Sequence, residues 1–328
     1  MDNELLLFDR LEVIKTTIQT YGEENFYISF SGGKDSTVVH HLVDMALPDN
    51  KIPRVFINTG IEYNEIVKFV KKMAENDERF VLIKPSKPIK KTLEKYGYPF
   101  KSKQYSQWYQ AFIIHRDQFN EFRCLIDKNP ELINDYDFIH NLPNGVKWIV
   151  KEYYGRRERD GKLYEYNDCP EVLKYQFDEG VNLKISDKCC LELKEKPLDI
   201  WGKKQGKNNH ITGLTREEGG RRSNIGCILV KKNKIAFHPL AKVNSEWIEW
   251  FIQKHNIELC SLYYEPYNFD RTGCKGCPFA LTLQEQLETM ERYFPAERKQ
   301  CEIIWKPVYE EYRRLGYRLK KDEQLKLF

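Results

Sequence analysis

Residues 29–36 have the sequence Ser29-Phe30-Ser31-Gly32-Gly33-Lys34-Asp35-Ser36, and this stretch decides the predicted fold. It follows an apolar run at 26–28 and precedes an apolar-periodic segment at 37–43, an order that predicts a strand, a glycine-rich turn and a helix. Two adjacent glycines let the backbone approach a ligand closely, and the N–H groups at a helix start can point at an anion. The serine hydroxyls add donors and the lysine adds a positive charge. The stretch therefore predicts a cradle for a nucleotide pyrophosphate or another oxyanion.

Strands and helices alternate through the first part of the chain. A buried strand at 53–58 ends in Asn58-Thr59-Gly60, a helix follows at about 65–74, and a third strand occupies 80–84. This alternation predicts β-α-β units in a parallel sheet, which binds ligands at the carboxyl ends of its strands. The glycine-rich stretch and Asn58-Thr59-Gly60 both occupy such ends. The predicted fold class is therefore α/β, with a parallel-sheet nucleotide-binding core.

A late strand at 209–214 feeds a polar loop at 215–223. The loop contains Arg216, Arg221 and Arg222 beside two adjacent glycines. Arginine presents planar, paired donors that suit a phosphate or a sulfate. Because the loop follows a strand, we expect it to contribute to the same anion site.

The regular alternation fails between residues 97 and 184, where aromatic and basic residues are interleaved. Such residues can stack bases and neutralise phosphates, or the aromatics can simply pack and the charges remain solvated. The segment is predicted to be an inserted cap that determines the acceptor. The predicted domains are therefore an α/β domain at 1–240 that contains this insert, and a mainly helical region at 241–328.

The composition limits the classes of protein to which this chain can belong. Hydrophobic residues make up 41% of the chain, and the net charge of +4 is too small to indicate nucleic-acid binding by itself. No apolar run approaches the ~20 residues that span a bilayer. Residues 1–4 lack the basic start of a signal peptide. We therefore expect a cytoplasmic protein without a membrane partner.

Nine cysteines in a reducing compartment require a metal or redox explanation more often than a disulfide one. Cys189 and Cys190 are adjacent, and Cys274 and Cys277 form a Cys-x-x-Cys turn. Thiolates select zinc or an iron–sulfur cluster. Adjacent cysteines are awkward for a tetrahedral zinc ion and easier for a cubane, which offers a separate iron to each thiolate. Cys260 is an alternative to Cys189 as the fourth ligand, and structural zinc or unliganded thiols are the alternatives to a cluster.

Residues 29–36 resemble the SGGxDS pyrophosphate loop of the N-type ATP pyrophosphatase (PP-loop) superfamily. This superfamily includes the sulfonucleotide (APS and PAPS) reductases, tRNA thiolation enzymes and the ATP pyrophosphatases of DNA phosphorothioation. The cysteine spacing is similar to the [4Fe–4S] pattern of the assimilatory APS reductases within the PAPS reductase family. The resemblance covers most of residues 20–280 and includes Lys188-Cys189-Cys190, Thr212-Gly213, Arg216, His238-Pro239-Leu240, Trp247 and Gly273-Cys274.

Two departures from the reductase pattern shape the functional prediction. Sulfonucleotide reductases carry a nucleophilic cysteine in a Glu-Cys-Gly-x-His motif near the C-terminus, and this chain lacks that motif. Their usual Asp-Thr-Gly is Asn58-Thr59-Gly60 here. Without the thiol, attack on the sulfonucleotide sulfur has no obvious nucleophile.

The resemblance therefore implies an ATP pyrophosphatase that adenylates an acceptor with pyrophosphate release, in preparation for sulfur transfer. It implies ATP (or APS or PAPS) as the nucleotide, Mg²⁺, a [4Fe–4S] cluster, a nucleic-acid acceptor as one candidate, and a cysteine-desulfurase-type sulfur donor. Lys34, Asp35 and Arg216 are the candidate catalytic residues, and Cys189, Cys190, Cys274 and Cys277 are the candidate cluster ligands. The candidate nucleotide-binding residues are Ser29, Ser31, Gly32, Gly33, Lys34, Asp35, Ser36, Asn58, Thr59, Gly60, Gly213, Arg221 and Arg222.

Two alternatives remain open at this level. One is an APS or PAPS reductase that uses another thiol, with Cys301 or Cys227 as the candidates. The other is a nucleotide-binding module whose cluster senses redox state or supports a partner. Pyrophosphate release, sulfite release, and nucleotide binding without turnover distinguish the three.

Overall fold

The computed structural model describes residues 2–166, 169–178, 180–217, 223–232 and 234–321. The strands are β1 (Phe26–Ser29), β2 (Arg54–Ile57), β3 (Phe80–Ile83), β4 (Arg156–Arg159), β5 (Lys162–Glu165), β6 (Asn209–Ile211), β7 (Ile228–Lys231) and β8 (Lys234–Phe237). The helices are α1 (Asn3–Tyr21), α2 (Lys34–Ala46), α3 (Asn64–Asn76), α4 (Ile89–Tyr96), α5 (Lys103–Lys128), α6 (Tyr136–Asn141), α7 (Asn144–Tyr153), α8 (Glu171–Asp178), α9 (Lys188–Cys190), α10 (Lys196–Lys204), α11 (Ser245–Lys254), α12 (Leu283–Tyr293), α13 (Pro295–Ile304) and α14 (Lys306–Leu315). Among these helices, none is long and apolar enough to cross a membrane.

The chain forms two compact units. The first unit comprises Met1–Ile89 and Glu192–Lys275, and the second comprises Lys90–Leu191 and Gly276–Phe328. The domain boundaries given above, at 1–240 and 241–328 with an insert at 97–184, stay a prediction.

The first unit is built on a six-stranded sheet in the order β3-β2-β1-β6-β8-β7. All neighbouring strands are parallel except β7, which runs antiparallel to β8. All four residues of β2 are buried, as expected for a parallel strand covered on both faces. The sheet confirms the predicted α/β fold class. The strand order reverses between β1 and β6, so the topological switch point lies between the loops that follow these two strands.

A buried polar network supports the sheet beneath α2. The Arg54 side chain of β2 is fully buried and donates to His40 Nδ1 at 3.0 Å, to Asn50 Oδ1 at 2.8 Å, and to Asp44. Burial, reinforced by the Arg54 charge, lowers the pKa of His40 to about 3. The imidazole is therefore neutral and accepts a hydrogen bond from the guanidinium. Together with the bonds to Asn50 and Asp44, it provides partners for the buried donors of Arg54.

The second unit has an aromatic core. Phe112 lies with its ring centroid 5.0 Å from Phe177 and 5.5 Å from Phe119, in edge-to-face arrangements that aromatic pairs prefer. Tyr105 and Tyr109 of the same helix, α5, are also buried. Of the two explanations offered for the aromatic residues of this segment, packing therefore accounts for the part that α5 contains.

The second unit also contains a two-stranded antiparallel hairpin, β4–β5, which the sequence reasoning did not predict.

The last helix of the second unit, α14, holds the turn around Cys277 by hydrogen bonds to backbone carbonyls. Tyr309 donates to the Gly276 carbonyl, and Tyr312 donates to the Pro278 carbonyl at 3.0 Å. The residues on both sides of Cys277 are therefore anchored to α14.

Candidate functional site

The glycine-rich loop after β1 is closed by its own hydroxyl groups. Ser36 Oγ donates to the Gly33 carbonyl at 2.9 Å and lies 2.9 Å from Ser31 Oγ. The Ser31 N–H donates to Ser36 Oγ at 3.2 Å, and the Gly33 N–H donates to Ser31 Oγ at 3.3 Å. These bonds hold the loop in a fixed shape at the start of α2.

Gly32 is required by both conformation and space. Its φ of +74° lies in the left-handed region, and a Cβ at this position would lie 2.9 Å from the Cγ2 atoms of both Ile66 and Val70. Because those methyl groups belong to α3, a side chain here would force that helix away from the loop. The loop can therefore pass this close to α3 only with glycine.

The N-terminus of α2 meets a phenol from a distant part of the same unit. The Lys34 N–H, one of the helix-start donors that can bind an anion, donates to the Tyr263 hydroxyl at 2.9 Å. That hydroxyl lies 2.7 Å from Thr272 Oγ1. Burial raises the pKa of Tyr263, so the phenol stays protonated at neutral pH. The Tyr263 hydroxyl thus accepts the hydrogen bond from the Lys34 N–H that a bound phosphate would otherwise accept.

The Lys34 side chain is paired loosely. Its Nζ lies 3.8 Å from the Glu249 carboxylate and 3.8 Å from the Asp270 carboxylate, both of which are well exposed. Exposed pairs at such distances contribute little to stability. The ammonium group can therefore turn to a phosphate at small cost.

The loop after β6 lies against the first turn of α2. A Cβ on Gly213 would lie 2.8 Å from the carbonyl carbon and oxygen of Asp35, so only glycine permits this approach. The preceding Thr212 is held by a 2.7 Å contact between its Oγ1 and His238 Nδ1, and by its N–H, which donates to the Phe237 carbonyl. The two loops at the switch point therefore form one continuous wall.

A pocket of about 360 Å³ lies at this wall, within the first unit. It is lined by residues from the two loops and from the segment before Cys274: Ser29, Ser31, Gly33, Lys34, Asp35, Ser36, Thr212, Gly213, Leu214, Tyr263, Asp270, Arg271 and Thr272. The second unit contains a larger pocket of about 550 Å³, lined by a mixture of aromatic, aliphatic and polar residues: Tyr96, Tyr109, Gln110, Ile113, Ile114, residues 181–185 and Lys188. We place the candidate site in the smaller pocket because charged groups, hydroxyls and a helix N-terminus converge there.

Asn58, Thr59 and Gly60 are not among the residues that line this pocket. The Thr59 N–H and hydroxyl both bond the Glu62 carboxylate at 2.9 Å, and the Gly60 N–H donates to Asn58 Oδ1 at 3.0 Å. Glu62 also forms an ion pair with Lys194 at 3.3 Å. The donors of Thr59 and Gly60 are thus used within the loop, and nucleotide binding by these three residues stays a prediction.

Of the three arginines predicted to bind phosphate, the structure describes one, and it is not among the residues that line the pocket. Arg216 is exposed, and its Nε donates to the Ile225 carbonyl at 2.9 Å. Arg221 and Arg222 fall outside the described residues. Arg271, which the sequence reasoning did not select, lines the pocket.

The cysteines predicted as cluster ligands belong to both units. In the first unit, Cys274 forms an isolated β-bridge with Glu62, and the next residue donates its N–H to the Ile61 carbonyl at 2.8 Å. In the second unit, Cys189 is buried, and Cys190 and Cys277 are partly exposed. Across the described ranges, no group of three or more His, Cys, Asp or Glu side chains is placed to hold a metal ion. The four-cysteine cluster stays a prediction.

Sequence reasoning missed the third wall of the pocket, which Tyr263, Asp270, Arg271 and Thr272 provide. Tyr263 lies 229 positions from Lys34, so no local pattern connects them. One signal was present: Asp270-Arg271-Thr272 is a polar run that directly precedes the predicted ligand turn at Gly273-Cys274. Such a run next to a proposed ligand is a reasonable place to seek substrate contacts.

The chain matches the family model of the phosphoadenosine phosphosulfate reductase domain over residues 25–130 and 149–280. It is 36% identical over 93 residues to an uncharacterized protein of Methanocaldococcus jannaschii, a segment that covers 28% of this chain and 22% of that protein. A crystal structure of phosphoadenylyl-sulfate (PAPS) reductase from Candida auris in complex with phosphate is similar with a TM-score of 0.40 and 13% identity, covering 77% of this chain and 82% of that one. Since the family model spans more than half of the chain, this protein belongs to the phosphoadenosine phosphosulfate (PAPS) reductase family.

Proposed function

We propose that this protein is an ATP pyrophosphatase that adenylates an acceptor and releases pyrophosphate, which prepares the acceptor for sulfur transfer. Family membership indicates an enzyme that acts on nucleotides. The observation that carries the proposal is the pocket beside the loop after β1, where the Lys34 ammonium and the N-terminus of α2 face the same space. A fixed loop with these donors suits a leaving group that bears several negative charges.

The two carboxylates of the pocket fit a hard cation. Asp35 and Asp270 line the same space as Lys34 and Arg271, and their two negative charges would repel a polyphosphate less if a metal ion were bound between them and the phosphates. Mg²⁺ is commonly held by one or two carboxylates together with substrate phosphates. Asp35 and Asp270 would hold the ion, which would neutralise part of the charge on the pyrophosphate.

In the proposed reaction an acceptor oxygen attacks the α-phosphorus of ATP. The bond from that phosphorus to the oxygen bridging to the β-phosphate breaks, and pyrophosphate leaves with the electron pair. The acceptor proton passes to solvent and the acceptor becomes an adenylate. A sulfur nucleophile, delivered by a cysteine-desulfurase-type donor, then displaces AMP. The protein contributes positioning through its rigid loop and charge stabilisation through Lys34, with Arg271, Arg216, Arg221 and Arg222 as further candidate phosphate contacts.

The same proposal assigns Cys189, Cys190, Cys274 and Cys277 to a [4Fe–4S] cluster. Four thiolates are a donor set that an iron–sulfur cluster accepts, and zinc is the alternative occupant. Cys260 is buried in the first unit and is the alternative fourth ligand. A bound cluster would supply a place to hold sulfur or a brace for the cysteine segments.

A sulfonucleotide reductase is the second candidate, favoured by the description of the family domain. Its chemistry needs an accessible thiolate. Cys301 is fully buried, and burial raises the pKa of Cys227. Neither of the cysteines suggested for this role therefore has the character of an activated nucleophile, which is why we place the reductase second.

One experiment separates the two candidates. The protein is purified without oxygen and given either MgATP with single-stranded DNA, tRNA and duplex DNA as acceptors, or APS and PAPS with a dithiol reductant. We expect pyrophosphate and the adenylated acceptor from ATP, and we expect the Lys34→Ala variant to lose at least ten-fold in rate. Lys72→Ala is the matched control, since Lys72 is exposed and pairs with Glu258 away from the pocket lining. Sulfite release at enzymatic rates would refute the proposal.

A further inference from the structure

The β4–β5 hairpin of the second unit has two chemically different faces. Across the hairpin, Arg157 is paired with Tyr164 and Arg159 with Lys162, while Glu158 is paired with Leu163. Side chains alternate between faces along a strand, so the first two pairs share one face and the third pair lies on the other.

The face that carries Glu158 is anchored to its own unit. Glu158 accepts from Lys151 Nζ at 2.8 Å and from the Tyr136 hydroxyl at 3.0 Å, and its carboxylate lies 2.7 Å from His140 Nδ1. The hydrogen bond from Lys151 is the main cause that lowers the pKa of Glu158 to about 2, so this anchor is ionised at neutral pH. The hairpin is therefore held from this side, and the face with Arg157 is the opposite one.

The opposite face is basic and aromatic. Tyr166 extends it, because its N–H donates to the Gly155 carbonyl at 2.9 Å and continues the ladder two residues beyond Tyr164. Tyr164 and Tyr166 expose 48% and 53% of their surface. The Arg157 guanidinium lies 4.1 Å from the ring centroid of Tyr166, which orients both groups. These features place the exposed rings of Tyr164 and Tyr166 beside the exposed cations Arg159 and Lys162. Arg157 is partly buried, and its guanidinium also lies 5.5 Å from the ring centroid of the buried Trp108.

The acidic group at the tip of the hairpin does not cancel this charge. Asp160 lies 3.3 Å from Arg159, and both side chains are more than four-fifths exposed. An ion pair of this kind is screened by solvent and exchanges readily with another anion. The cations of this face can therefore neutralise successive phosphates of a nucleic-acid strand; they are Arg157, Arg159 and Lys162.

We propose that this face of the hairpin, formed by Arg157, Arg159, Lys162, Tyr164 and Tyr166, binds single-stranded nucleic acid. Unpaired bases would stack on the two tyrosines, and the three cations would neutralise phosphates. A duplex buries its base faces, so the exposed rings favour a single strand. The inference rests on the proposed function in one respect: it names the class of acceptor that the adenylation site would serve.

The test measures binding in the absence of ATP. Fluorescence anisotropy follows a labelled 12-nucleotide single strand, the same strand as RNA, and the corresponding duplex, over a series of salt concentrations. We expect Tyr164→Ala and Tyr166→Ala each to weaken single-strand binding about five-fold or more. The double variant Arg159→Gln/Lys162→Gln should reduce the salt slope by about 1.4, since each phosphate contact contributes roughly 0.7.

Lys306→Gln is the matched control, because Lys306 is an exposed lysine of the same unit that pairs with Glu310. Circular dichroism confirms that each variant is folded. Absence of single-strand binding, or tyrosine variants that bind like the wild type, would overturn the inference. Pyrophosphate release without nucleic-acid binding would overturn this inference alone, whereas nucleic-acid binding without pyrophosphate release from any acceptor would overturn the proposed function alone.

Discussion

Replacing Tyr263 by phenylalanine tests the arrangement at the N-terminus of α2. The substitution removes the hydroxyl that accepts from the Lys34 N–H at 2.9 Å and lies 2.7 Å from Thr272 Oγ1. An N–H has one hydrogen, so the phenol and a bound phosphate compete for it. Without the phenol this donor is available to the ligand from the start, and we expect tighter binding of a polyphosphate.

The magnitude follows from the bond that is removed. A neutral hydrogen bond contributes about 0.5–1.5 kcal/mol net. If the phosphate must displace this bond, Tyr263→Phe should tighten binding of pyrophosphate or an MgATP analogue by about 2- to 12-fold, at 1.4 kcal/mol per factor of ten. The same loss should lower the stability of the ligand-free protein by about 1 kcal/mol, which corresponds to roughly 1–3 °C in melting temperature for a chain of this length.

Isothermal titration measures the affinity and thermal unfolding measures the stability. Tyr264→Phe is a close control, because its hydroxyl also accepts from a backbone N–H, that of Leu259 at 3.1 Å, but does not line the pocket. We expect the control to leave affinity unchanged. A fall in affinity of Tyr263→Phe would refute the competition argument and would show instead that the phenol is itself a phosphate ligand.

Three further predictions concern the loop, the buried network and the cysteines. Gly32→Ala should lower the free energy of unfolding in denaturant titration by about 1–3 kcal/mol more than Gly60→Ala, because both glycines have positive φ but only Gly32 faces methyl groups at 2.9 Å; equal losses would contradict this. Because burial lowers the pKa of His40 from 6.5 to about 3, the unfolded chain binds more protons between these values, so stability should fall as pH drops through that window. His40→Gln should flatten that fall, and an unchanged pH profile would contradict the assignment. If Cys274 ligates a cluster, Cys274→Ser should reduce protein-bound iron and visible absorbance in anaerobically purified protein, whereas the exposed Cys124→Ser should not; equal iron in both would refute the ligand assignment.

The local part of the site could be predicted from the sequence. The run Ser31-Gly32-Gly33 between an apolar strand and an amphipathic helix predicts its own turn, since only nearby residues determine it. The placement of Gly213 beside Asp35 also follows from a rule, because loops after adjacent parallel strands lie at the same edge of a sheet.

The rest depends on contacts between distant residues. Tyr263 and Thr272 reach the loop only because the chain folds back over it, and no periodicity signals that approach. Asn58 and Thr59 illustrate the converse problem, since their position at a strand end was predicted but Glu62 takes the Thr59 donors. Most aromatic residues of α5 pack in a core, while Tyr164 of β5 and the nearby Tyr166 are exposed, and composition cannot separate these two outcomes.

The central claim, that the loop after β1 receives the pyrophosphate of ATP, is tested most directly by a crystal structure with Mg²⁺ and a non-hydrolysable ATP analogue. We predict the β- and γ-phosphates within hydrogen-bonding distance of the Lys34 N–H and its ammonium, with Tyr263 moved off that N–H and the ion held by Asp35 or Asp270. An analogue bound elsewhere, or bound with the Tyr263–Lys34 contact intact and no phosphate on the loop, would contradict the account.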